Sequence, residues 1–143
     1  GNGIMGEELK KHGVARLVGV DIVDEARDAA FRDRPHIYDD YLICDFTNLS
    51  TAEHEELVNW GFNALTCVAA LGFGDIPVPA FLQGVNLLQT DGWLAFNIKE
   101  TFLERSGIHD QFLFRQWMHS QQFNCLFKLT FLNCFLKRIN QKH

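Results

Sequence analysis

Gly1, Gly3 and Gly6 stand in the spacing G-x-G-x-x-G, and Asp21 follows Gly1 by 20 residues. Glycines so spaced let a backbone turn tightly and approach a ligand with no Cβ in the way. A carboxylate about 20 residues further on can accept hydrogen bonds from two hydroxyls of one ribose. Read literally, this is a dinucleotide turn, with a pyrophosphate at a helix N-terminus and Asp21 on a ribose. An NAD-dependent oxidoreductase is therefore one candidate. The motif opens at residue 1 with no strand before it, so either the chain is a fragment or the site has lost one wall.

These residues need elements to position them. Residues 4–12 read as a helix, with Met5 and Leu9 on one face and Glu7, Glu8, Lys10 and Lys11 toward water. Gly13 is a suitable stop. Residues 15–21, nearly free of charge and rich in β-branched side chains, read as a buried parallel strand ending in Asp21. A charged helix is expected over 24–33, broken by Pro35. A second strand spans 40–45. Ser50 and Glu53 form a capping box that predicts a helix over 51–60. An apolar strand over 62–70 breaks at Gly72 and Gly74. Pro77 or Pro79 opens the next helix, which runs to Leu88. Thr90-Asp91-Gly92 is a turn, and residues 93–99 form a fourth strand. A helix is expected over 109–120 and a strand over 125–132, and the pattern beyond is unassigned. Such alternation predicts an α/β fold with a mostly parallel sheet and right-handed crossovers.

The chain has 143 residues and an apolar fraction of 47%. That suits one domain with a real core, and no run is long enough for a membrane span. The net charge of −5 is interspersed, which argues against a nucleic-acid surface. The basic residues near the C-terminus (Lys128, Lys137, Arg138, Lys142) read as a solvated tail. Cys44, Cys67, Cys125 and Cys134 form no CxxC pair and have no metal-like spacing to His, so free thiols, no metal and a cytoplasmic protein are expected.

Residues 1 to about 103, roughly two-thirds of the chain, resemble class I S-adenosylmethionine-dependent methyltransferases. Within them the likeness is greatest to the Williams-Beuren methyltransferase-like group and related small-molecule enzymes. GNGIMGEELKKHG is similar to the second half of their first motif, an acid followed by G-x-G-x-G and a helix. Gly1 and Gly3 would be its second and third glycines. The resemblance thus implies a Rossmann-like three-layer sandwich whose first strand, motif acid and first glycine lie upstream, and a fragment that binds cofactor poorly. RLVGVD matches the strand ending in the ribose-binding acid, Asp21. LICDF puts Asp45 and Phe46 where the family contacts adenine. LTCVAALGFGDIP and LLQTDGWLAFNIKE match the fourth strand, its loop and the turn before the fifth. Asn63 stands where an acid is usual, and Thr90-Asp91-Gly92-Trp93 replaces a proline and double glycine.

The resemblance implies S-adenosyl-L-methionine as cofactor, contacted by Gly1, Asn2, Gly3, Asp21, Ile22, Asp45, Phe46 and Val68. The chemistry of the residues agrees. A sulfonium cofactor has no pyrophosphate, so the glycine turn would pass the methionine part. Asp21 would hold the ribose, Asp45 would accept from the adenine amine, and Ile22 and Phe46 would cover the ring. Methyl transfer is an in-line displacement that needs alignment and exclusion of water more than a base. The loop from Ala69 to Asp75 should line the methyl end. It holds neither an Asn-Pro-Pro-aromatic element nor a Pro-Cys nucleophile, which favours a small-molecule acceptor. Asp75, His109 and His119 read as capping or surface residues, and no catalytic residue is named. A degenerate, non-catalytic binding module with the same fold is the third candidate.

Overall fold

The computed structural model describes residues 1–71, 76–98, 123–129 and 133–138, the last two segments as backbone. The helix expected over 109–120 and the loop residues 72–75 lie outside the described residues. The chain divides into two compact units, Gly1–Leu49 and Ser50–His143.

The first unit runs α1 (Ile4–Lys11), β1 (Val18–Asp21), α2 (Asp24–Asp33) and β2 (Asp40–Ile43). β1 and β2 pair in parallel, with Val18 opposite Asp40 and Asp21 opposite Ile43. A parallel pair needs a crossover, and α2 supplies it. Two glycines admit aromatic rings. A Cβ on Gly6 would lie 2.9 Å from the Tyr38 ring, and one on Gly19 would clash with the Tyr41 ring. Tyr38 and Tyr41 meet edge to face at 5.1 Å, and Phe31 meets Tyr41 at 6.1 Å. Ala26 and Ala30 are buried on α2, where small side chains allow close packing. Asp39 ties the ends together. Its Oδ2 accepts from the Leu17 N–H at 2.6 Å and from Lys10 Nζ at 3.0 Å.

The second unit holds α3 (Thr51–Asn59), β3 (Ala64–Leu71), α4 (Val78–Asn86), β4 (Trp93–Ile98), β5 (Phe123–Leu129) and β6 (Asn133–Arg138). The expected capping box is present: the Ser50 side chain accepts from the Glu53 N–H, and Glu53 reaches back to the Ser50 N–H. Pro77 caps α4, and Pro79 fits its first turn. The four-stranded sheet has the order β3-β4-β6-β5. β3 and β4 are parallel, whereas β6 is antiparallel to both β4 and β5. The sequence reading assigned one strand to this last region and left β6 unassigned. Cys67, Leu71, Val78, Phe81, Val85, Leu88, Leu94 and Phe96 form the core of the unit. Leu94 is fully buried, and Phe81 meets Phe96 edge to face at 5.1 Å. The turn into β4 is closed by Gln89 N–H to Phe62 C=O at 2.8 Å and Trp93 N–H to Asn63 C=O at 2.8 Å. Gly92 is required there, because a Cβ would lie 2.9 Å from the Gln89 carbonyl oxygen. Among the described residues no helix is long and apolar enough to cross a membrane.

Candidate cofactor site

In the first unit the glycine turn and the strand-end acid meet. The Gly1 amino group lies 3.3 Å from Asp21 Oδ2. Asp21 Oδ1 accepts from its own following backbone, the Ile22 N–H at 2.8 Å and the Val23 N–H at 3.3 Å. One carboxylate oxygen is thus spent on fixing the side chain, and the other faces the turn. Ile22 and Val23 leave the strand with their side chains exposed, 63% and 45% accessible.

Gly3 starts α1 at φ 86°, a left-handed conformation that favours glycine. Its carbonyl accepts from the Glu7 N–H at 3.0 Å. The turn is clamped from α2. Arg34 Nη1 donates to the Asn2 carbonyl at 2.9 Å, and Arg34 Nε donates to Glu7 Oε2 at 2.6 Å. The Arg34 guanidinium holds the Glu7 carboxyl below the usual range. The Asn2 amide donates to Asp33 Oδ2 at 3.2 Å. The expected cofactor contact Asn2 therefore has its side-chain amide on Asp33 and its carbonyl on Arg34.

Asp45 stands two residues past β2. Its Oδ1 accepts from the Thr47 hydroxyl at 2.6 Å and the Thr47 N–H at 2.8 Å. The Thr47 hydroxyl is the main reason its carboxyl is held below the usual range. Asp45 is therefore an anion at neutral pH, with Oδ2 lacking a donor among the described residues. Phe46 beside it is partly exposed. Asp21 and Asp45 follow the carboxyl ends of adjacent parallel strands, the edge at which open α/β sheets bind ligands.

Tyr41 carries no ligand-binding signal in the sequence, yet it is buried on β2 opposite Gly19. Burial, and then the charge of Asp21, push its phenol up to about 12. Arg34 escaped the sequence reading too, because nothing local pairs it with Asn2 across 32 residues.

Val68 belongs to the second unit. It lies on β3, 41% accessible, next to buried Cys67, whose thiol burial pushes up to about 11. Ala69 follows at φ 55°, with its N–H donating to Asn97 Oδ1 at 2.6 Å. Cys44 and Cys67 are free thiols. Among the described residues no three His, Cys, Asp or Glu side chains group as a metal site.

No family profile and no curated protein matches the chain. Solved structures do. The N-methyltransferase NodS from Bradyrhizobium japonicum WM9 matches with a TM-score of 0.59 at 17% identity, covering 97% of this chain and 82% of that one. The same enzyme in complex with S-adenosyl-L-homocysteine matches at 0.57 and 18% identity, covering 96% and 71%. A putative rRNA-methylase from Clostridium thermocellum matches at 0.63 and 17% identity, covering 99% and 84%. The chain has a Rossmann-like methyltransferase fold.

Proposed function

We propose that the chain is an S-adenosylmethionine-dependent methyltransferase domain acting on a small molecule. The observation that carries this reading is Asp21. Its carboxylate is fixed at the carboxyl end of β1, where Oδ1 accepts from the Ile22 N–H at 2.8 Å and the Val23 N–H at 3.3 Å. A carboxylate so placed suits two vicinal ribose hydroxyls. Asp45 Oδ2 suits an exocyclic amine, and exposed Ile22 with Phe46 suits the faces of an adenine. The cofactor would supply an activated methyl group on a sulfonium. The chain's part is to hold the adenosine, let the amino-acid portion pass the glycine turn, and exclude water.

β1 pairs with β2 alone among the described residues, and its Val20 is 38% accessible. A further parallel strand, supplied by residues N-terminal to Gly1 in a longer protein, would pair that edge and complete the glycine motif. The reading also includes the likeness to the Williams-Beuren group.

Calorimetric titration with S-adenosylhomocysteine and with NAD tests the proposal. Binding of the first and not the second is expected. NAD binding without a response to S-adenosylhomocysteine would replace it with the oxidoreductase reading. No binding of either, by this chain or by one extended upstream, would leave the non-catalytic module. Because one matched structure is a putative rRNA-methylase, acceptor assays should pair small amines and hydroxyl compounds with structured RNA. Methylation of RNA alone would overturn the small-molecule acceptor.

A further inference from the structure

The carboxyl end of β3 breaks the regular ladder. Cys67 pairs with Phe96, and the next pair is Leu71 with Ile98, so four positions on β3 span two on β4. The excess backbone bulges at 68–70. A bulge leaves ladder groups unpaired, open to a partner outside the ladder. Ala69 finds one in a side chain: its N–H donates to Asn97 Oδ1 at 2.6 Å. An N–H donor demands the oxygen of the amide, so the orientation of Asn97 is fixed by this bond. Ala69 sits at φ 55°, a left-handed conformation that an alanine avoids unless its surroundings impose it. Val68 is on the surface of the strand and its neighbour Cys67 is in the core, as alternation requires. The Ala70 carbonyl then accepts from the Ile76 N–H at 2.9 Å, closing the segment.

Strained backbone and bulges concentrate where a strand end is shaped for a ligand, and the carboxyl end of a parallel strand is where ligands bind. We propose that Asn97 is a positioning residue: its side-chain carbonyl holds the β3 bulge and so shapes Val68–Ala70 for a ligand at the carboxyl end of β3. The functional half rests on the methyltransferase reading above. Asn97 touches no substrate. It acts through the backbone of Ala69.

Two measurements on the full chain test this. The first is amide hydrogen exchange without ligand. In Asn97→Ala, Ala69 should lose its protection by tenfold or more, while Leu65 and Cys67 keep theirs. Asn97→Asp retains an acceptor and should restore it. If alanine prevents folding, Asn97→Thr keeps a good strand residue without the reach of the amide, and the same loss is expected. Unchanged protection of Ala69 would overturn the proposal whether or not any cofactor binds. The second is titration with S-adenosylhomocysteine. Asn97→Ala or Asn97→Thr should weaken binding at least fivefold, Asn97→Asp should return it to within about twofold, and adding Ala69→Gly should rescue the alanine variant, because glycine adopts the left-handed conformation unaided. Loss of thermal stability with unchanged affinity would reduce Asn97 to a structural residue. Failure of both the unsubstituted chain and one extended upstream to bind would overturn the methyltransferase reading and the functional half together, with exchange still deciding whether Asn97 holds the bulge.

Discussion

Arg34 Nη1 donates to the backbone carbonyl of Asn2 at 2.9 Å. The end of α2 therefore holds the glycine turn from behind, while the same guanidinium neutralises Glu7 in the first turn of α1. An arginine suits this because its planar fork reaches two acceptors at once. Arg34→Ala should lower stability by about 1 kcal/mol through the lost bond to Asn2, and Arg34→Lys should recover little of it. Urea denaturation measures this. A lysine variant as stable as the parent would show that charge alone suffices.

Asp21→Ala should weaken S-adenosylhomocysteine binding by roughly 10- to 100-fold, the equivalent of about 1.5–3 kcal/mol for charge-assisted hydrogen bonds. Calorimetry on both chains reads it directly. Equal affinities would mean that the ribose lies elsewhere.

Gly19→Ala should cost about 2 kcal/mol, because its Cβ would enter the Tyr41 ring. Tyr41→Ala will also destabilise, but the double variant should lose less than the two single losses together. Strict additivity would show that the ring moves aside without cost.

Acid should destabilise the first unit through Asp39. The Leu17 N–H, and then Lys10, hold its carboxyl below the usual range. A group depressed in the folded state contributes stability above its unfolded value, about 3.9, and that contribution disappears as pH falls through the folded value. Asp39→Asn should therefore be less stable than the parent at pH 7 and should show a shallower decline below about pH 4. Parallel pH–stability curves for the two proteins would contradict this.

Much of the fold was written locally. The span 24–33 is a helix because its charges and alanines favour one. Ser50 and Glu53 announce their own cap, and the apolar runs ending at Asp21 and Ala70 read as strands of a parallel sheet. The candidate site was legible to the same extent, since a glycine turn and a strand-end acid are both short-range signals. The bulge at Ala69 and the pairing of β6 were not legible. Each depends on which strand lies alongside, and register is set by long-range packing.

By itself, then, the sequence determined the α/β alternation, the glycine turn and the acids at two strand ends, because propensity, capping and periodicity act over a few residues. Tertiary structure alone decided that Asp21 lies beside the glycine turn. It also decided that Arg34 clamps Asn2, and that Asn97 completes the hydrogen bonding of a bulged strand. Those partners are distant in the chain. Only the packed fold brings them within hydrogen-bond reach.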